Sequence, residues 1–163
     1  MNYSAIKPVD IANGIGVRVS LFVSGCPHHC KGCFNAETWN YDHGDPFTEE
    51  TVNQVIELLK PSWIGGLSLL GGEPLAVRNI TPVTELVKDI KQALPIKTIW
   101  CYTGYLWEEV KDLPIMGYID VLVDGPFIEA EKDISLRFRG SRNQRIIDVR
   151  QSLASGEVVL WKG

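Results

Sequence analysis

The chain has 163 residues, 45% hydrophobic and 22% charged, with a formal net charge of −4 and a pI of about 5.4. That size favours one core in a single domain spanning residues 1–163, and the acidic balance speaks against a nucleic-acid reader, which carries a basic footprint. No apolar run approaches the ~18 residues of a membrane helix. No signal-peptide pattern opens the chain, so a cytoplasmic protein with no membrane or nucleic-acid partner is expected.

Val17-Arg18-Val19-Ser20-Leu21-Phe22-Val23 reads as a first buried strand running straight into Ser24-Gly25-Cys26. Thr48 is placed to cap a helix, with Glu49 and Glu50 favourable in its first turn. Val52, Val55, Ile56 and Leu59 give that helix one apolar face before Pro61 stops it. Gly66-Leu67-Ser68-Leu69-Leu70 reads as a second strand ending at Gly71-Gly72. Thr81-Pro82 opens a second helix, carried by Leu86, Val87, Ile90 and Leu94 as far as Pro95.

Residues 96–102 form a third expected strand ending at Thr103-Gly104-Tyr105, followed by a short helix over residues 106–113. Residues 118–123 form a fourth, ending at Asp124-Gly125. In the tail, residues 145–149 and 158–161 are expected as edge strands about a turn at Ser155-Gly156. Strands alternating with helices predict an α/β fold with a mainly parallel sheet. Polar or Gly-rich motifs follow all four strands, at the end where α/β sheets and barrels place ligands. The chain has too few βα units for a closed eight-stranded barrel, so an open, partial βα barrel is expected.

Three of the four cysteines lie together in Cys26-Pro27-His28-His29-Cys30-Lys31-Gly32-Cys33. A [4Fe–4S] cluster normally takes four cysteines, one per iron, so three would leave one iron open for chemistry. A structural zinc site is the rival, with His28 or His29 as a fourth ligand, but adjacent ligands in so short a loop hardly form a tetrahedron. Four cysteines also allow two disulfides, a framework that suits short secreted chains and fits poorly with three clustered thiols. Cys101, within an apolar strand and remote from the trio, reads as buried and inert.

The C-x3-C-x2-C loop after the first strand resembles the signature of the radical S-adenosylmethionine (SAM) superfamily. Gly71-Gly72-Glu73-Pro74 resembles that superfamily's GGEP motif. Asn13-Gly14-Ile15-Gly16-Val17-Arg18, Phe34-Asn35, Thr38-Trp39, Trp100-Cys101-Tyr102-Thr103-Gly104-Tyr105, Val123-Asp124-Gly125 and Arg139-Gly140-Ser141-Arg142-Asn143-Gln144-Arg145 narrow the likeness. Together they resemble the small glycyl-radical activases that serve anaerobic ribonucleoside-triphosphate reductases, from Met1 to about residue 150. Ile15 stands where that family often has proline.

The resemblance implies a radical SAM partial barrel and a [4Fe–4S] cluster on Cys26, Cys30 and Cys33, with SAM chelating the open iron. It implies that Gly71, Gly72 and Glu73 hold the amino group of SAM, and that cluster and SAM need no further catalytic side chain. For Thr103 and Asp124 two readings stand: contact with SAM or a nearby cation, as the resemblance implies, or helix-cap and turn roles. Residues 13–18 are placed near the mouth of the site, as substrate contact or as a Gly-rich turn. The implied partners are the anaerobic ribonucleoside-triphosphate reductase as protein substrate and a flavodoxin-type reductant. The arginine-rich loop over residues 139–145 is open between a partner or phosphate contact and a solvated basic loop. The alternatives are an activase of another glycyl-radical enzyme or a radical SAM enzyme acting on a small molecule, and, from a different class, a non-enzymatic metal or electron-transfer module.

Overall fold

A computed structural model describes residues 1–163. Seven strands form one sheet: β1 (Asn2–Asp10), β2 (Arg18–Val23), β3 (Asp45–Pro46), β4 (Gly66–Gly71), β5 (Thr98–Tyr102), β6 (Val121–Asp124) and β7 (Arg145–Asp148). Their order is β3-β1-β2-β4-β5-β6-β7, so the two edges do not meet and the sheet stays open. The central strands β2, β4, β5 and β6 run parallel, as βα connections require. Antiparallel strands flank them, β1 and β3 at one edge and β7 at the other.

The register sorts side chains onto two faces, because successive residues of a strand point to opposite sides. Leu21 pairs with Leu69, Leu69 with Cys101, Cys101 with Leu122 and Leu122 with Ile147. This apolar row packs under α1 (Glu49–Leu59) and α2 (Ile80–Ala93), which bury Val55, Leu59, Val83, Leu86, Val87 and Ile90. Each fully buried Leu, Ile or Val there contributes about 1.5–3 kcal/mol.

The opposite row runs Ser20, Ser68, Trp100, Val121. It is polar at β2 and β4 and aromatic at β5, where Trp100 meets Phe138 at 5.3 Å and Trp161 at 5.0 Å. No helix is long and apolar enough to cross a membrane.

Three features depart from the sequence reading. β1 was not expected: its alternation is poor, Pro8 interrupts it, and two register shifts mark its pairing with β2. All its residues but the buried Asp10 are half-buried or exposed, as befits a strand near the sheet edge. In the tail, β7 is followed by α4 (Val149–Ser155) and not by a second strand, and Leu160 makes only an isolated bridge to Ile147. Asp148 decides this by capping the helix, its carboxylate accepting the Gln151 N–H at 3.0 Å. The expected helix over residues 106–113 is the single turn α3 (Trp107–Val110), and a 3-10 turn follows at Pro114–Gly117.

Candidate cluster and cofactor site

All four parallel strands end at one rim. Beyond β2 comes the cysteine loop, beyond β4 Gly72-Glu73, beyond β5 Thr103, and Asp124 closes β6. A cavity of about 360 Å³ opens there, lined by Cys26, Cys30, Cys33, Gly71, Gly72, Glu73 and Thr103 together with Asn13, Trp39 and Tyr102. Chain crossovers that are distant in sequence thus bring the cysteine loop and the Gly-Gly-Glu turn onto one wall.

Glycine is required where these two loops meet. Gly71 has φ +105, and a Cβ there would lie 2.6 Å from the Val23 carbonyl oxygen. A Cβ on Gly72 would lie 2.4 Å from the Gly25 oxygen. With no side chains between them, the Gly72 N–H donates to the Val23 carbonyl at 2.8 Å and the Glu73 N–H to the Gly25 carbonyl at 2.8 Å. The buried Asn79 adds a clamp, its Nδ2 donating to the Ser24 and Glu73 carbonyls at 3.0 Å each.

Cys26, Cys30 and Cys33 are free thiols, each partly buried. Burial pushes the Cys26 thiol up, against the backbone N–H groups of His28 and His29, which favour its thiolate. The Asn35 N–H donates to Cys33 Sγ at 3.4 Å. Such N–H···S bonds stabilise thiolates that ligate a cluster. The three thiols line the same cavity. That donor set fits the corners of a cuboidal cluster better than one tetrahedral ion.

The histidines are engaged elsewhere. His28 Nε2 meets Glu73 Oε1 at 2.7 Å, and His29 stacks on Trp39 at 4.5 Å with the rings 10° apart. Trp39 Nε1 and the Tyr102 hydroxyl, on side chains that line the cavity, are buried without a hydrogen-bond partner, a state that a polar ligand relieves.

Glu73 is the hub of the rim and is 1% exposed. Its carboxylate accepts the Leu75 N–H at 3.0 Å, the Gly104 N–H at 2.7 Å, the Thr103 hydroxyl at 3.0 and 2.9 Å, and His28. Asp124, fully buried, is outside the cavity lining. It accepts the Trp107 N–H at 2.8 Å, Arg145 Nε at 3.1 Å and Arg145 Nη2 at 2.5 Å. Arg145 also holds Glu108 at 2.9 Å, and these two carboxylates raise its guanidinium. The carboxylate of Asp124 therefore anchors α3 and β7 to the rim.

A family model described as a 4Fe-4S single cluster domain matches residues 12–147. The anaerobic ribonucleoside-triphosphate reductase-activating protein of Vibrio cholerae is 46% identical over 150 residues, covering 90% of this chain and 97% of that protein. The protein of the same name from Enterobacteria phage T4 is 45% identical, covering 90% and 93%. The one from Escherichia coli strain K12 is 44% identical, covering 92% of this chain and all of its own length.

The chain belongs to this activating-protein family.

Membership places the cysteine trio within the residues matched by a 4Fe-4S domain, and His28 is bonded to Glu73. Within this activating protein the expected mouth segment divides. Asn13 lines the cavity, whereas Arg18 is 1% exposed beneath the sheet. Its guanidinium donates to Ser68 Oγ and to the Leu67 and Thr98 carbonyls, each at 2.9 Å. Burial pushes it down to about 10, still charged at neutral pH. Ser68 Oγ in turn donates to the Asn13 carbonyl at 2.5 Å.

The arginine-rich loop is braced from within: Arg139 donates to the Arg142 and Gln144 carbonyls, and Gln144 Oε1 accepts the Gly140 and Ser141 N–H groups. Cys101 is 0% exposed, and burial pushes its thiol well above the usual range. Sequence reasoning missed Asn79 and the contact between His28 and Glu73. A histidine inside the cysteine loop was the available signal for the second.

Proposed function

We propose that this chain is a radical SAM activase that generates a glycyl radical on an anaerobic ribonucleoside-triphosphate reductase. The observation that carries the reading is the convergence of Cys26, Cys30 and Cys33 with Gly71, Gly72 and Glu73 on one cavity at the ends of the parallel strands. The three thiolates hold a [4Fe–4S] cluster with one iron left for SAM. When bound, cluster and SAM supply reductive cleavage of the sulfonium and the radical that takes a hydrogen atom from a glycine of the partner.

The protein's own residues bind and orient. Gly71 and Gly72 let the backbone approach the ligand, and the Glu73 carboxylate supplies the negative charge for an amino group. Thr103 and the Gly104 N–H fix that carboxylate from β5. Asp124 supports the rim through Arg145 and Trp107. The unclosed sheet, a partial barrel of the radical SAM type in a single domain over residues 1–163, leaves the cavity open to a loop of a second protein. A flavodoxin-type reductant and a cytoplasmic setting complete the proposal.

The test is anaerobic reconstitution with iron and sulfide, reduction, and addition of SAM with and without a candidate anaerobic reductase. 5′-Deoxyadenosine by chromatography together with a glycyl doublet on the reductase by electron paramagnetic resonance is the expected result. Deoxyadenosine without the doublet would assign a different substrate. Neither signal from a protein with a full cluster would overturn the reading.

A further inference from the structure

We propose that His28 is a positioning residue whose side chain keys the cysteine loop into a socket formed just beyond β4 and β5, so that the loop is held in place before any cluster is loaded. The socket has three independent walls. Glu73 Oε1 lies 2.7 Å from His28 Nε2, and a carboxylate only accepts, so this ring nitrogen carries the proton and donates. Tyr105 meets the imidazole edge-on, with centroids 4.5 Å apart and planes 75° apart. Gly104 leaves room for the ring: a Cβ there would lie 2.5 Å from His28 Cδ2, 2.8 Å from Nε2 and 2.9 Å from Cγ, and those are its three nearest atoms.

His28 stands inside the cysteine loop, two residues after Cys26 and two before Cys30. One residue therefore links that loop, which follows β2, to the carboxylate at the end of β4 and to the backbone at the end of β5. The reading deepens the proposed activase site, where it sets how the thiols face Glu73.

The experiment uses the full-length protein without cluster, so its failure is separable from failure of the activase reading. Amide hydrogen exchange is followed by mass spectrometry in the parent and in His28→Ala, His28→Gln and Gly104→Ala. Gly104→Ala evicts the ring while leaving the cysteine loop and Glu73 chemically intact.

Peptides covering residues 26–33 are expected to exchange about ten-fold faster in His28→Ala and Gly104→Ala, the scale of losing one charge-assisted hydrogen bond. His28→Gln, which keeps a donor for Glu73, retains most of the protection. Peptides from α2 keep the parent's rate in all three. Unchanged exchange over residues 26–33 in either His28→Ala or Gly104→Ala overturns the proposal. Equal acceleration in α2 overturns it as well, since His28 would then support the whole fold and not the loop.

Discussion

The Thr103 hydroxyl lies 3.0 and 2.9 Å from the two oxygens of Glu73, and both residues are buried. One short side chain at the end of β5 thus sets the orientation of the carboxylate that follows β4. Thr103→Val preserves the shape and removes the hydroxyl. A hydrogen bond to a charged group contributes about 1.5–3 kcal/mol. SAM affinity of the reconstituted protein, measured by equilibrium dialysis, is expected to fall at least about ten-fold, with iron content unchanged. Unaltered affinity would remove Glu73 from the SAM site.

The four cysteines divide by location. Cys30→Ala is expected to abolish retention of the cluster and formation of deoxyadenosine, because Cys30 lines the cavity. Cys101→Ala keeps both, since Cys101 is fully buried in the helix-facing core, and costs about 1 kcal/mol of stability from the small void left behind. Iron and sulfide analysis beside urea denaturation separates the two effects.

Arg145→Met strands the Asp124 carboxylate, which is 1% exposed, without its cation. Breaking a wholly buried pair costs about 3–5 kcal/mol, and Arg145 is 32% exposed, so a loss of about 2–3 kcal/mol is expected by urea unfolding. Asp124→Asn combined with Arg145→Met recovers part of that loss, because the amide needs no counter-charge. A double variant no better than Arg145→Met would place the effect outside this pair.

Asp10 gives the fold an acid limit. Burial raises its carboxyl, but hydrogen bonds from Ser20, Asn13 and the Ala12 N–H outweigh burial and hold it below the ordinary 3.8. A carboxyl depressed in the folded state adds stability that is complete above its unfolded value and disappears as pH falls through the folded one. Stability should therefore fall more steeply in the parent than in Asp10→Asn between about pH 5 and about pH 3. Parallel acid titrations of the two proteins would refute this.

The parallel core was legible because each of its strands is an apolar run ending in a polar or Gly-rich turn, and α1 and α2 carry clear apolar faces. The cysteine loop and Gly71-Gly72-Glu73 stood out in the sequence by residue type and by their place after strands, and the structure brings both to one cavity, although a Gly-Gly pair alone would read as an ordinary turn. β1 was not legible, because an edge strand buries too little to impose alternation and Pro8 reads as a breaker. The helix after β7 was hidden because Val149–Ser155 is only seven residues long and carries too few apolar side chains to show a helical period. The Asp124–Arg145 pair and the His28 socket join residues 21 and 45 positions apart, and such contacts exist only once the sheet has assembled.

An unclosed sheet has two rims of unpaired backbone, and such rims invite other chains to add strands indiscriminately. Here β3 is only two residues long, and β1 carries Pro8, which has no N–H, within the register shift between Lys7 and Asp10. At the far rim the Asp148 N–H donates to the Val159 carbonyl at 2.8 Å and the Trp161 N–H to the Ile146 carbonyl at 2.9 Å, so the last residues of the chain cover β7. Both edges of the open sheet are therefore short, proline-bearing or covered, so strand addition by other chains is discouraged at each.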